Sequence, residues 1–400
     1  MVSPARVCLI CKGGRNLCGH SPCPLLPRFN VEKNLKDRIS KEFFGPGISV
    51  FVGRYGYPDV FVGPLGALDN ENINKLDNSR QWFGMEYHEI VKFRSMLLRS
   101  KQKENVFSRS RFVCDVQELA LASKPADIEM SFKKNPVYRV SFSEVVQPMG
   151  PSASLEKLRI TENPRIPRKV DSVVSDELKA GQASFMLYKS GMDVNKISTI
   201  LSSGVLGLEK NKKLVPTRFG ITAVDDIIAK ELLKRVRTYN SVNSYMVFES
   251  TYLDNHFVIL MMPGSWEFEN FEAWAPGSMW SRSLKKTEIL EEYEPFKGRT
   301  GYAELEGGGY YASRISVIRA LEKMKRQAKV VVFREVYEGY ILPLGVWVVR
   351  DTAMNAFNNK SVIFNTKEEA LRYCDSRLRI PVKEYIQKSK ILRQKRLSDF

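Results

Sequence analysis

The sequence has no apolar run long enough to cross a bilayer. A membrane-spanning helix needs about 20 consecutive apolar residues, whereas the longest apolar segment here is 257–262. The N-terminus also lacks the apolar stretch of a secretory signal peptide. We therefore expect a cytoplasmic protein in a reducing compartment, without a membrane partner.

Histidine is scarce, and this argues against a hydrolytic metal centre built from several imidazoles. The chain contains 3 histidines, His20, His88 and His256, which lie far apart in the sequence. Internal repeats, low-complexity segments and long acidic runs are also missing, so the pattern does not fit a solenoid. The glycine run at 307–309 matches neither a P-loop nor a dinucleotide-binding fingerprint.

Acidic residues are outnumbered, with 45 Asp+Glu against 62 Lys+Arg and a formal net charge of +17. Such an excess favours a polyanionic partner, and nucleic acid is the leading class. A solvated basic surface on an ordinary cytoplasmic protein is the alternative. At 400 residues and 43% hydrophobic content, the chain is long and apolar enough for two or three domains with cores.

Cysteine is concentrated at the N-terminus. Four of the 6 cysteines, Cys8, Cys11, Cys18 and Cys23, are spaced as two close pairs, which suits four thiolates around one Zn²⁺. The segment has too few apolar residues for a core, so the metal would supply its folding energy. A closed four-thiolate shell favours a structural role for the zinc. His20 could replace Cys18 or Cys23, and the cysteines could instead form disulfides or remain unligated thiols.

The segment GRYGYPD is the first candidate binding motif. Two β-rich runs, 48–52 and 60–62, flank it, and its glycines and proline indicate a turn between two strands. Arg54, Tyr55 and Tyr57 would project from this turn, where they could hold a phosphate or stack on a base. The alternative is a tyrosine-rich hairpin packed on its neighbours.

The segment PTRFG begins the best helix signal in the chain, 215–239. Thr222 and Asp225 have the spacing of a capping box, and Arg218 near the helix start could meet an anion. Asp225 and Asp226 could bind a divalent cation. They could equally occupy a first turn, where the helix dipole favours acidic residues.

The segment EGGGYY is the third candidate motif. Three glycines between Glu306 and Tyr310 allow close backbone approach to a ligand. Tyr310, Tyr311 and Arg314 are candidate ligand- or DNA-binding residues, and Glu306 joins Asp225 and Asp226 as a weak catalytic candidate. Further on, Arg334 and Glu335 are expected to form a buried ion pair between strands.

Strands and helices do not alternate regularly enough for a doubly wound sheet, so we expect an α+β fold with a mixed, largely antiparallel sheet and packed helices. Helices are expected over 30–44 and 85–98, strands over 329–336 and 345–349, and a basic phosphate-contacting patch over 94–111. The expected domains are a zinc-binding segment (1–28), an N-terminal α/β part (29–147), a basic proline-containing linker or strap (148–170), a C-terminal α/β part (171–385) and a basic tail (386–400).

Five segments together resemble the archaeal Nre family of DNA repair proteins, of the NreA type. They are CLICKGGRNLCGHSPCP, GRYGYPDVFVGPLG, VPTRFGITAVDD, GGGYYASR and REVYEGYILPLGVWVVRD, and the resemblance spans essentially the whole chain. It implies a cysteine cluster at Cys8, Cys11, Cys18 and Cys23. It also implies a C-terminal motif for the sliding clamp PCNA at Gln394, Leu397 and Phe400. Leu397 and Phe400 would insert into an apolar pocket, and Gln394 would form a hydrogen bond at its rim.

The leading expectation is therefore a DNA repair factor of the DNA damage response that binds DNA through a basic surface and is recruited by PCNA. The alternative is a DNA- or nucleotide-modifying enzyme with a pocket built from GRYGYPD, PTRFG and EGGGYY. That alternative requires Arg54, Arg218, Glu306 and Tyr310 to converge on one site.

Overall fold

The computed structural model describes residues 26–35, 39–138, 149–276, 287–340 and 343–394. The chain divides into two compact units, Met1–Ile228 and Ala229–Phe400. Of the helices in the described ranges, none is both long and apolar enough to span a membrane.

Over its described residues, the first unit contains helices around five strands. Its elements are α1 (Leu26–Leu35), β1 (Glu42–Val52), β2 (Asp59–Ala67), α2 (Ile73–Leu76), α3 (Tyr87–Ser95), β3 (Leu97–Asn105), α4 (Arg111–Leu121), β4 (Ala126–Phe132), β5 (Ser152–Ile160), α5 (Arg168–Ser175), α6 (Ala180–Lys189), α7 (Val194–Ser202) and α8 (Thr217–Val236). The division between the units falls within α8.

The five strands of the first unit close into a barrel in the order β1-β2-β3-β5-β4. All neighbours are antiparallel except β3 and β5, and β4 returns to pair with β1. Alternate residues face the interior, where Val60 and Val62 of β2 meet Ile128 of β4. Helix α4 adds Val113 and Val116 to the same core.

This strand order, with α4 between the third and fourth strands, is the arrangement of the oligonucleotide/oligosaccharide-binding (OB) barrel. Barrels of this type bind ligands on the face of their second and third strands and on the loop between the first and second. The topology locates a candidate binding surface, and the residues on that surface decide what it binds.

The described part of the second unit forms a six-stranded sheet with helices on it. Its elements are β6 (Tyr245–Tyr252), β7 (Asn255–Met262), β8 (Glu267–Trp274), β9 (Glu288–Glu294), α9 (Gly308–Met324), β10 (Lys329–Val336), α10 (Trp347–Ala356), β11 (Val362–Phe364), α11 (Lys367–Arg377), α12 (Val382–Lys388) and α13 (Lys390–Arg393). The strand order is β11-β6-β7-β10-β8-β9, and β8 and β10 are its parallel neighbours. Phe271, Phe333 and Tyr385 form an aromatic core between the sheet and α12. A mixed, largely antiparallel α+β architecture is therefore confirmed.

Three expectations about elements are wrong. The helix expected over 30–44 is described only as far as Leu35, and residues from Glu42 onward belong to β1, where Gly45 and Gly47 pair with β4. The strand expected over 345–349 is instead the start of α10. The expected linker 148–170 contains β5, which pairs with both β3 and β4. That segment is therefore part of the barrel.

Candidate nucleic-acid interface

The loop between β1 and β2 presents two tyrosine rings to solvent. Tyr55 is 71% exposed and Tyr57 is 52% exposed. Arg54 donates a hydrogen bond from Nη2 to the Tyr55 hydroxyl at 2.8 Å, and its guanidinium carbon lies 4.8 Å from the centroid of that ring. Rings this exposed do not pack into a core, so the alternative of a packed tyrosine hairpin does not hold.

Glycine fixes the shape of this loop. Gly56 has a φ of 83°, and its carbonyl accepts a hydrogen bond from the Asp59 amide at 2.9 Å. A Cβ at this position would lie 2.8 Å from the Asp59 carbonyl oxygen. Only glycine adopts this backbone without strain, so Gly56 determines how the two tyrosines project.

A phenylalanine and a lysine extend the exposed surface onto the strands. Phe61 of β2 is 44% exposed and lies opposite Lys103 of β3 in the antiparallel register. Because Val60 and Val62 face the core, Phe61 points outward, and its cross-strand neighbour shares that face. Phe107, just beyond β3, is 57% exposed.

The segment before PTRFG brings another cation to the loop. The Leu214 amide donates to the Val106 carbonyl at 2.8 Å, and the Leu214 side chain is buried in the barrel core. This anchor holds Lys213, whose Nζ donates to the Tyr57 hydroxyl at 3.4 Å and lies 5.8 Å from the Phe107 ring centroid. Lys213 therefore links two of the exposed rings.

PTRFG itself is held at the same end of the barrel. The Val52 amide, at the end of β1, donates to Thr217 Oγ1 at 2.9 Å. Arg218 and Phe219 follow at the exposed start of α8. Since GRYGYPD begins immediately after Val52, the structure brings two of the three predicted motifs together.

The interpretation of Asp225 and Asp226 as first-turn residues is wrong. Helix α8 begins at Thr217, so Asp225 lies in its third turn, where it is fully buried. Thr222 donates to the Arg218 carbonyl at 3.4 Å and does not cap the helix. Within the described ranges, no group of three or more His, Cys, Asp or Glu side chains is arranged to hold a metal ion.

The basic run 94–111 does not form one continuous patch. Strand β3 distributes its residues between two faces, and several cations already have partners. Arg94 pairs with Asp77, Lys101 donates to Ser152 at 2.7 Å, Arg109 lies 3.4 Å from Glu209, and Arg111 lies 3.0 Å from Asp115. Lys103 remains exposed on the outward face.

Glu306, Tyr310 and Tyr311 of the EGGGYY segment are buried and do not line an exposed surface. Glu294 of β9 accepts hydrogen bonds from the Tyr310 hydroxyl at 2.7 Å and from Arg314 Nη2 at 2.8 Å. Tyr310, Tyr311 and Arg314 are all buried. They therefore do not present an exposed surface to DNA, and Tyr310 and Arg314 attach α9 to the sheet. Their candidate role in binding a smaller ligand stays a prediction.

Glu306 lies in a buried polar cluster. Asn270 donates to its Oε2 at 2.5 Å, whereas its Oε1 has no hydrogen-bond partner within the described ranges. Burial, reinforced by the charges of Glu272 and Glu292, raises the pKa of Glu306 well above its ordinary value. Glu272 itself is paired with Arg334.

Arg334 and Glu335 do not pair with each other, because neighbouring residues of a strand face opposite sides of the sheet. Arg334 faces α9, where it meets Glu272 and donates to Asn255 Oδ1 at 2.6 Å. Glu335 faces α12, where it accepts from the Ile380 amide and the Tyr385 hydroxyl, each at 3.0 Å.

The four residues required to converge in an enzyme pocket fall in different compact units. Arg54 and Arg218 belong to the first, and Glu306 and Tyr310 belong to the second. A groove of about 630 Å³ in the second unit includes Glu288, Glu291 and Glu384 in its lining, with Lys388 beside them. Its acidic lining does not suit a phosphate.

Sequence reasoning missed the rings of Phe61 and Phe107 and the cation of Lys213 as members of the exposed surface, whereas Lys103 lies in the basic patch expected over 94–111. The alternation in Asp59–Val62 carried the signal for Phe61, because the flanking valines at 60 and 62 place it on the opposite face. Lys213 had no such signal, since its position depends on the long-range contact between Leu214 and Val106.

Two predicted sites lie wholly or partly outside the described residues. They are the cysteine cluster at Cys8, Cys11, Cys18 and Cys23, and the clamp-motif residues Leu397 and Phe400. Gln394, the first residue of that motif, follows α13, and its Oε1 accepts a hydrogen bond from Lys329 Nζ at 2.7 Å.

Comparisons with known proteins give a consistent result. The family model described as archaeal Nre, N-terminal, matches residues 17–281, and the model described as archaeal Nre, C-terminal, matches residues 294–400. The chain is 37% identical to DNA repair protein NreB of Archaeoglobus fulgidus, covering 97% of each chain. It is 35% identical to DNA repair protein NreA of the same organism, covering 93% of each. It is 34% identical to DNA repair protein NreA of Haloferax volcanii, covering 82% of this chain and 81% of that one.

No solved structure gives a significant match. Both halves of the sequence match their family models, and the full-length relatives are similar over most of their length. The chain therefore belongs to the archaeal Nre family.

Proposed function

We propose that this protein is a DNA repair factor that binds DNA through the exposed end of its barrel. This surface, the barrel face, consists of Arg54, Tyr55, Tyr57, Phe61, Lys103, Phe107 and Lys213. The observation that carries the proposal is the interleaving of exposed cations and exposed aromatic rings on the part of an OB barrel that binds ligands. The names of the relatives support the repair role.

A salt titration tests DNA binding. The affinity for a labelled DNA oligonucleotide should fall as salt rises, because cations that contact phosphates release counterions from the DNA. Changing Arg54, Lys103 and Lys213 together to Gln should weaken binding and flatten the salt dependence. The matched control changes Lys323, Lys325 and Arg326, three exposed cations at the end of α9, to Gln. Equal weakening by both triple variants would contradict the assignment to the barrel face.

We also propose that the C-terminal tail recruits the protein to PCNA through Gln394, Leu397 and Phe400. An apolar pair inserted into a pocket supplies most of the affinity of such a short motif. Changing Leu397 and Phe400 to Ala should abolish binding to immobilised PCNA while leaving DNA affinity unchanged. Retained PCNA binding by this variant would contradict the proposed contact.

Zinc binding by Cys8, Cys11, Cys18 and Cys23 remains part of the proposal on the strength of their spacing. Freshly purified, reduced protein should contain one zinc per chain by atomic emission. Changing Cys8 and Cys11 to Ser should remove it, whereas changing Cys114 and Cys374 to Ser should not. Less than one zinc per chain in the unmodified protein would overturn this part.

One observation favours an enzymatic alternative. Glu306 is a buried carboxyl group with a raised pKa and an oxygen that lacks a partner within the described ranges, which are properties of a general acid. If the chain modifies DNA or a nucleotide, Glu306→Gln should abolish repair activity in cells while the protein stays folded. Full repair activity in that variant would remove the alternative.

A further inference from the structure

We infer that the barrel face binds single-stranded DNA in preference to duplex DNA, with its aromatic rings stacking on unpaired bases. This inference rests on the proposed function, which it makes more specific by naming the form of the DNA. It follows from the position, exposure and charge environment of the rings.

Four aromatic rings occupy the barrel face. Tyr55 and Tyr57 lie on the β1–β2 loop, Phe61 lies on β2, and Phe107 follows β3, each more than two fifths exposed. An exposed ring can stack on a base of any identity, because every base has a π-face. In a duplex those faces are already covered by neighbouring base pairs. Only an unpaired strand can therefore use all of these rings.

Each ring has a cation beside it. Arg54 contacts Tyr55, Lys213 lies between Tyr57 and Phe107, and Lys103 is opposite Phe61. This pairing matches a nucleotide, which combines a flat base with an anionic phosphate. Asp59, a carboxylate at the edge of this surface, accepts a hydrogen bond from Asn105 at 2.8 Å and is outnumbered by the three cations. The interleaved charge thus favours a polyanion over an uncharged sugar or an apolar protein segment.

The rings also distinguish the two forms of DNA as partners. A duplex would contact the barrel face through its phosphates, so its affinity would depend on the cations and not on the rings. The affinity for a single strand would depend on both the cations and the rings. Removing one ring should therefore lower the affinity for single-stranded DNA relative to that for duplex DNA. Removing a cation should change this ratio less, because both forms contact the cations.

Fluorescence anisotropy on the full-length chain tests the inference. The probes are a labelled single-stranded oligonucleotide of mixed sequence and the same strand annealed to its complement, compared at one salt concentration. We expect tighter binding of the single strand. Tyr55→Ala, Phe61→Ala and Phe107→Ala should each weaken single-strand binding by about 5- to 150-fold, because stacking on one base contributes about 1–3 kcal/mol. Duplex affinity should change by less than about twofold.

Phe44→Ala provides the matched control. Phe44 is an exposed phenylalanine on the same barrel, but it lies eight residues before Val52 on β1, about 26 Å along an extended strand. Phe44→Ala should leave the affinities for single-stranded and duplex DNA unchanged. Phe61→Leu keeps an apolar side chain without a ring, and we expect it to behave like Phe61→Ala. Circular dichroism melting checks that every variant is folded.

The possible failures are distinguishable. If neither form of DNA binds, the proposed function fails. If both forms bind equally well and the ring variants change neither affinity, DNA binding stands and the single-strand inference is overturned. If Phe44→Ala weakens binding as much as Phe61→Ala does, the site is not the barrel face, and the inference is also overturned.

Discussion

Gly56 is the residue on which the geometry of the β1–β2 loop depends. Its φ is 83°, and a Cβ added there would lie 2.8 Å from the Asp59 carbonyl oxygen, which leaves no room for a side chain. Gly56→Ala should destabilise the protein by about 1 kcal/mol or more and should weaken DNA binding several-fold, because Tyr55 and Tyr57 would be displaced. Urea unfolding and anisotropy titration measure the two effects.

Gly84→Ala is the control for this substitution. Gly84 also has a positive φ, 91°, but a Cβ there would meet nothing within 4 Å. Gly84→Ala should introduce a similar backbone strain and leave DNA affinity unchanged. If both variants weaken DNA binding equally, general destabilisation explains the effect and the loop does not.

Glu306 should make the stability of the second unit depend on pH. Burial first, and then the charges of Glu272 and Glu292, raise its folded pKa above the ordinary 4.5, while Asn270 and Arg334 oppose the shift. A carboxyl group whose pKa is higher in the folded than in the unfolded state stabilises the folded protein. This contribution is fully present below the unfolded-state pKa and is lost as the pH rises through the folded-state pKa. Each unit of pKa difference corresponds to about 1.4 kcal/mol.

Glu306→Gln should therefore flatten the fall in melting temperature as the pH rises above 5. It should keep the stability of the unmodified protein at pH 5, because the amide imitates the neutral acid. Glu304→Gln, an exposed neighbour in the same turn, is the control and should change neither. A steep pH dependence retained in Glu306→Gln would show that another group causes it.

At the scale of elements, the ion pair between Glu294 and Arg314 connects β9 to α9. Both side chains are almost fully buried, and Tyr310 donates to the same carboxylate. Arg314→Met should destabilise the second unit by about 3–5 kcal/mol, since removal of one partner leaves a buried charge uncompensated. Lys323→Met, at an exposed position of the same helix, should have little effect. A loss below about 1 kcal/mol in urea unfolding would contradict this role.

The sequence predicted those elements whose signal is local. The run Lys329–Val336 is a strand as expected. Thr366 and Glu369, which have the local spacing of a capping box, form one at the start of α11. Residues 345–349 are as apolar as a buried strand but begin α10, because short apolar runs do not distinguish a strand from a buried helix. Residues 148–170 were expected to be a linker because of their prolines and basic residues, whereas β5 within them is held by pairing with β3 and β4, which lie elsewhere in the sequence.

The candidate site was also predictable only where its signal is local. GRYGYPD showed its turn and its exposed tyrosines in the local pattern of glycine and proline. The burial of Tyr310 and Arg314 was not predictable, because it depends on Glu294, which belongs to a strand in a different part of the sequence. Barrel closure likewise depends on the pairing of β1 with β4.

At the scale of the whole molecule, different parts of the chain carry different tasks. The barrel of the first unit carries the proposed DNA contacts, and the tail from Gln394 onward carries the proposed clamp contact. Variants in the barrel face should leave PCNA binding intact, and tail variants should leave DNA binding intact. The two sets should therefore combine additively, since independent sites do not share partners.

The position of bound DNA tests the central claim most directly. A single-stranded oligonucleotide carrying photoreactive bromouracil would be crosslinked to the full-length protein, and the modified peptides identified by mass spectrometry. We predict crosslinks within 53–61, 103–107 and 213–219, including Tyr55 or Phe61. Crosslinks confined to 229–394, with none in the barrel, would contradict the claim.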